Sequence, residues 1–271
     1  MRIGLDVAQQ RMPFAEVVDR ARFAEDLGFD GVWGFDHFEP MYGEGPGECF
    51  EGMTTLAALA MATSRVRLGL LVTGLTYRPL SLLATQAITI DHASNGRLEL
   101  AIGTAWHEKE HRALGFEFPP TGARVDLLED ALNILPRLFT EDDVTYEGKR
   151  VSVEHATINP KPVQRPSIPI WVGAAGKQRS LPLVARFADA WHSFGDVEWL
   201  SKQSALLDRL CEDAGRDPAT LLRSASVSLE GSVDDVRREI DAWSAAGFGY
   251  LIAGWPSGGR EQVEQFAPLL G

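Results

Sequence analysis

The sequence predicts a single (β/α)8 TIM barrel over residues 1–271, and three observations predict it. Eight short apolar segments alternate strictly with eight longer amphipathic ones. Most of the short segments are continuous apolar runs, as expected of parallel strands buried on both faces. No Gly-x-Gly-x-x-Gly follows the first of them, which favours closure over an open doubly wound sheet. The chain length also suits this fold, which typically takes about 250 residues.

The strands fall at residues 3–7, 31–35, 66–72, 98–102, 168–172, 190–193, 224–229 and 250–254. The helices fall at 14–27, 54–63, 80–93, 124–139, 178–187, 198–214, 233–246 and 260–270. The first helix places Val17, Val18, Ala21, Ala24 and Leu27 on one side at helical spacing, and Gly28 follows as a C-cap. Residues 144–153 break the alternation and read as a hairpin around Glu147-Gly148. The next stretch, NPKPVQRPSIP, has four prolines that forbid helix. Together they form an insertion between the fourth helix and the fifth strand.

Composition narrows the function classes. A net charge of −12 argues against duplex nucleic acid as a partner. Apolar runs fall far short of the roughly 20 residues of a membrane span, and the N-terminus MRIGLDVAQQRMPF does not read as a signal peptide. The two cysteines, Cys49 and Cys211, lack metal-type spacing and make no disulfide framework. A cytoplasmic protein acting on a small molecule is the expectation.

In such barrels the active site forms at the C-terminal strand ends. Asp36 and His37 follow the second strand, where an imidazole can donate a proton or bond a cofactor edge. Thr73 and Gly74 end the third strand and suggest a bend or a close approach. Gly103, Thr104 and Ala105 leave room after the fourth strand, and Trp106 and His107 follow. His107-Glu108-Lys109-Glu110-His111 formally matches the H-E-x-x-H zinc pattern, but no third ligand motif follows, so no metal is expected. After the fifth strand, Gly173 to Gly176 precede a helix whose free amides suit phosphate, with Lys177 and Arg179 adding charge. Trp191 and His192 close the sixth strand and are candidates for pocket walls. Asp6, Glu230 and Trp255 follow other strands.

These motifs, in order along the chain, resemble the luciferase-like monooxygenase superfamily, in particular its coenzyme F420-dependent oxidoreductases. The resemblance rests on GFDGVWGFDHF, RVRLGLLVTGLTYRPLSLLATQAITIDHASNGRLELAIGTAWHEKEHRALGFEFP, RVDLLEDALNILPRLF running through to IWVGAAG, and ARFADAWH. It implies a cofactor across the strand C-termini, with Asp36 and His37 beside the reactive ring. Leu71, Val72 and Thr73 match the bulged strand end that backs the ring, often with a non-proline cis peptide, here expected near Leu71–Val72. Gly103, Thr104, Ala105, Trp106 and His107 match the loop beside the ring. Ala174, Ala175, Gly176 and Lys177 match the phosphate-binding turn. His37 is then the expected proton carrier, with Asp36 orienting it or making a second polar contact.

Two departures stand out. Ala105 replaces the second glycine of the family's G-x-G-W, and Trp106 stands where some F420 enzymes carry a catalytic Glu. The cofactor expected is F420, with FMN as the competitor. FMN would make the chain a monooxygenase served by a reductase partner. A non-catalytic flavin-binding barrel and a zinc hydrolase using His107 and His111 compete with both. Family members are often dimers, so a homodimer is implied. The C-terminal part is shorter than in many relatives, which implies a more open pocket.

Overall fold

The eight apolar runs become the parallel strands of a closed sheet. The computed structural model describes residues 1–270. The strands are β1 (Arg2–Asp6), β2 (Gly31–Gly34), β3 (Arg67–Leu70), β4 (Thr73–Gly74), β5 (Leu98–Gly103), β8 (Ile170–Gly173), β9 (Ala190–Ser193), β10 (Leu222–Val227) and β11 (Tyr250–Gly254). A two-stranded antiparallel hairpin, β6 (Val144–Glu147) with β7 (Ser152–Ala156), stands apart between helix α5 (Thr121–Thr140) and β8. The barrel runs β3-β2-β1-β11-β10-β9-β8-β5-β4, and pairing of β3 with β5 closes it.

The third strand is not continuous over 66–72 as its apolar run suggested. It breaks at the cis peptide Leu71–Val72 and resumes as β4. Gly69 pairs with Glu99 and Thr73 with Ile102, so four steps on one strand match three on the other. One extra residue is accommodated there, which is the definition of a bulge. Hydrophobicity cannot register such a break, because both sides of it are buried.

Below the mouth the barrel is plugged. Trp33 lies 4.9 Å from Trp171 between ring centroids, and Trp171 lies 5.3 Å from Tyr250. Room for them comes from glycine: a Cβ on Gly69 would fall 2.3 Å from the Trp33 ring. Glu99 points into the same layer, accepting from Trp171 Nε1 at 2.7 Å and pairing with Arg67. Only the C-terminal end is therefore open to a ligand.

Helices α1 (Phe14–Leu27), α2 (Gly52–Ala62), α3 (Leu80–Ser94), α5, α6 (Ser180–Phe187), α7 (Val197–Asp213), α8 (Val233–Ala245) and α9 (Gly259–Gln265) surround the sheet. Helix α1 buries Val17, Ala21 and Ala24, and Gly28 caps it at φ 98°. The expected last helix, 260–270, stops at Gln265 and becomes a 3-10 turn at Ala267–Leu269. Pro268 lacks the amide that a longer helix would need. The short helix α4 (Glu108–Leu114) has no counterpart among the expected elements, since it buries only Glu110 and His111 and has no apolar stripe. The hairpin loop is also longer than a two-residue turn. Asp130 of α5 organises it by accepting from the amides of Lys149, Arg150 and Val151.

Both cysteines are free. No helix among the described residues is long and apolar enough to cross a membrane.

Candidate active site

The ends of β2, β4, β5, β8 and β9 open into a cleft of about 240 Å³. Of the residues expected at a site, Asp36, His37, Leu71, Val72, Gly103 and Thr104 line it, as do Ala105, Trp106, Ala174 and Ala175. His192, Ser193, Phe194, Gly74, Tyr77 and Gly173 complete the wall. Thr73, His107, Gly176 and Lys177 are not part of it. Thr73 is buried in the bulge, His107 precedes α4, and Gly176 and Lys177 stand exposed on the turn before α6.

Val72 shapes the floor. A Cβ on Gly103 would fall 2.5 Å from Val72 Cγ2, and one on Gly173 would fall 2.9 Å from Val72 Cγ1. The bulged side chain thus lies across two glycines, and the backbone of β5 and β8 forms a shallow cradle beneath the cleft.

His37 is held by Glu110, not by Asp36. Its Nδ1 lies 3.0 Å from Glu110 Oε2, and Tyr77 Oη donates to the same oxygen. Glu110 Oε1 accepts from the amides of Phe38 at 2.7 Å and Glu39 at 3.1 Å. Burial pushes this carboxyl up, but the bonds from His37, Tyr77 and the Phe38 amide outweigh it and bring it down to about 2. An ionised carboxylate on Nδ1 fixes the tautomer with the proton there, and Nε2 is left as the free ring nitrogen.

Asp36 has a different task from the one its position suggested. It is 2% exposed and takes a bidentate pair from Arg78, at 2.6 and 2.9 Å, plus the Gly74 amide at 2.8 Å. Arg78 also reaches Glu51 at 2.8 Å, the residue that caps α2. Asp36 therefore ties β2 to the β4 bulge and is not the orienter of His37.

The H-E-x-x-H pattern does not assemble a zinc pair. His111 is fully buried, bonded through Nε2 to Thr76 Oγ1 at 2.6 Å and through Nδ1 to the His107 carbonyl at 2.8 Å. Ligand atoms of His37, His107 and Glu110 do lie within 4.8 Å of one another. Both oxygens of Glu110 are already filled by four donors, so this carboxylate serves the histidine and the chain. Trp106, 69% exposed, stacks on His107 at 4.9 Å and meets His37 at 5.7 Å, and so forms an outer wall.

At the far side of the cleft, burial pushes His192 down to about 3, so its ring is neutral; Nδ1 lies 3.0 Å from Ser224 Oγ. Trp191 is fully buried outside the cleft. Its Nε1 donates to the Ala174 carbonyl at 2.8 Å, which pins the turn 174–177. Arg179 is engaged with Asp126 at 2.6 Å, so Lys177 is the cation of that turn free of ion pairs among the described residues.

Sequence reasoning missed Glu110, Tyr77, Arg78 and Phe194. Glu110 was hidden inside the apparent metal motif. Tyr77 and Arg78 sit adjacent in GLTYRPL, and an arginine beside a tyrosine after a buried strand was the available signal.

The family model described as luciferase-like monooxygenase matches residues 1–265. An F420-dependent glucose-6-phosphate dehydrogenase of Intrasporangium calvum is 36% identical over 191 residues, covering 69% of this chain and 55% of that protein. One of Microbacterium testaceum is 31% identical over 251 residues, covering 90% of this chain and 73% of that protein. The chain thus spans little more than half the length of the first. Among solved structures, an F420-dependent secondary alcohol dehydrogenase in complex with an F420-acetone adduct superposes with TM-score 0.89 at 17% identity, covering 100% of this chain and 99% of that one. At that identity the likeness is one of fold.

Proposed function

The chain belongs to the luciferase-like monooxygenase family, and from that premise we propose that it is an F420-dependent oxidoreductase acting on a small organic substrate. When bound, the deazaflavin supplies a hydride acceptor or donor at C5, and the protein supplies binding, orientation and proton handling. The observation that carries the reading is the cleft itself, with the Leu71–Val72 bulge on one side and a carboxylate-held imidazole on the other.

The residues fit a flat, anionic-tailed cofactor. The missing side chains at Gly103 and Gly173 let Val72 settle onto β5 and β8 at the floor of the cleft. Ala174 and Ala175 place small side chains at the exit toward the turn, and Lys177 offers a positive charge for phosphate. The F420-dependent relatives support this cofactor.

His37 handles the proton. When an alcohol or amine loses a hydride it also loses a proton, and the free Nε2 is the acceptor. Glu110 stabilises the imidazolium that forms, as a carboxylate does for a histidine base. This replaces the acid missing at Trp106.

Titrating the purified protein with F420 and with FMN, followed by fluorescence, tests the reading. Micromolar F420 binding without FMN binding is expected, together with F420 reduction by at least one member of an alcohol and amine panel. Binding of FMN alone would establish an oxygen-activating monooxygenase instead. Tight F420 binding with no turnover of any substrate would establish a non-catalytic binder.

A further inference from the structure

The cleft does not end at Leu71 and Phe194. Beyond these two side chains a second cavity of about 420 Å³ lies over the ends of β1, β10 and β11. Counted around the closed sheet, β1 is four strands from β8 in either direction. The second cavity therefore lies across the mouth from the turn 174–177. A cofactor whose phosphate end is anchored at that turn leaves this end of the mouth for another ligand.

The polar lining of the second cavity consists of Asp6, Glu239, Ser226, Ser228 and Tyr42, with Phe35 and Ile252 among its apolar walls. Neither lysine nor arginine lines this cavity or the cleft. Asp6 accepts one hydrogen bond, from the Ala8 amide at 2.8 Å, and forms no ion pair among the described residues. Arg20 acts on it through space but is paired with Glu16 at 3.2 Å and lines neither cavity. Glu239 accepts from Trp243 Nε1 at 3.4 Å, and Ser226 Oγ lies 3.5 Å from His192 Nε2. A phosphate or carboxylate placed here would face two carboxylates with no cation in the wall to offset them. A hydroxyl or amino group would instead donate a charge-assisted hydrogen bond.

We propose that this second cavity is the substrate subsite, and that it selects a small alcohol or amine free of phosphate and carboxylate groups, whose reacting group faces His37 in the cleft while a second hydroxyl or amino group donates to Asp6. This deepens the F420 reading and rests on it. It also separates the chain from relatives named for glucose 6-phosphate, an anion.

The test follows F420 reduction with alcohols and amines, each paired with the phosphorylated or carboxylated compound of the same carbon skeleton, glucose and glucose 6-phosphate included. Turnover confined to the uncharged and cationic members is expected. In Asp6→Asn, KM for the best substrate should rise roughly tenfold or more, well beyond any fall in kcat, since a bond to a charged partner is lost. The asparagine carbonyl keeps the Ala8 bond, so the turn survives. An anionic member turned over as well as its neutral analogue overturns the proposal, as does an unchanged KM in Asp6→Asn. No turnover by protein that binds F420 overturns it too. Failure to bind F420 overturns the cofactor reading instead. Loss of F420 affinity in Asp6→Asn would reassign the residue to the cofactor.

Discussion

Glu110 Oε2 lies 3.0 Å from His37 Nδ1, joining a residue of α4 to the loop after β2 across 73 positions of sequence. Two amides and Tyr77 hold the same carboxylate, so it cannot follow the histidine if the ring moves. The consequence is an imidazole fixed in one tautomer beside the cleft. Glu110→Gln keeps the shape and removes the charge. Turnover should fall roughly tenfold or more, F420 affinity should change little, and the acidic limb of the kcat/KM profile, where His37 must lose its proton to act as base, should move to lower pH. An unmoved profile would leave Glu110 with a structural role only.

His37→Ala removes the proton carrier itself. A loss of roughly a hundredfold in kcat is expected from general acid–base arithmetic, with F420 affinity retained in a fluorescence titration. Loss of F420 binding alone would show that the ring packs against the cofactor and handles no proton.

The Asp36–Arg78 pair predicts stability, not chemistry. Both side chains are buried, and removing Arg78 leaves Asp36 without a cation, a cost of about 3–5 kcal/mol, whereas removing Asp36 leaves Arg78 its second partner, Glu51. Arg78→Ala should lower the urea midpoint accordingly, and Asp36→Ala should lower it less. Their double variant should lose much less than the sum, because the two changes share one interaction.

These residues show what was legible in the sequence and what was not. All eight barrel strands could be read, because most are apolar runs in strict alternation with longer amphipathic segments, and so could the hairpin. The glycines and small residues at strand ends marked the cleft, since they leave volume whatever the neighbours are. Residue identity at positions 36 and 37 marked two polar groups at the mouth but could not assign their partners. Those are fixed by Arg78 and Glu110, on segments with no apolar period, and long-range polar pairing leaves no local trace. The break at Leu71–Val72 emerged only through family resemblance.

Lys177 stands alone on its turn while Arg179 is committed to Asp126. Lys177→Ala should weaken F420 up to about fivefold at low salt, the scale of an exposed ion pair. The difference should shrink as salt rises. Arg179→Ala should act on stability and leave the salt dependence of binding in place. Equal effects from both variants would move the anion site off this turn.

Asp6 and His192 face the two connected cavities and make opposite contributions to acid stability. Burial pushes Asp6 up from 3.8 to about 6, against the pull of the Ala8 amide and Arg20. The folded state therefore holds its proton more tightly, so the stabilisation is complete below pH 3.8 and is lost as pH rises through 6. Burial pushes His192 down from 6.5 to about 3. There the unfolded state holds the proton more tightly, so stability is complete above 6.5 and is lost as pH falls toward 3, by about 1.4 kcal/mol per unit. Between pH 4 and 6 the two slopes cancel in part. Asp6→Asn removes one of them and also removes a buried charge at neutral pH. The two-unit shift sets the gain at up to about 3 kcal/mol. Urea midpoints at pH 7 and pH 5 should show a variant more stable than the parent at 7, and steeper in its loss toward 5. A variant less stable at pH 7 would mean that the charged carboxylate has a partner in the folded chain, and would undercut Asp6 as a group held ready for a ligand.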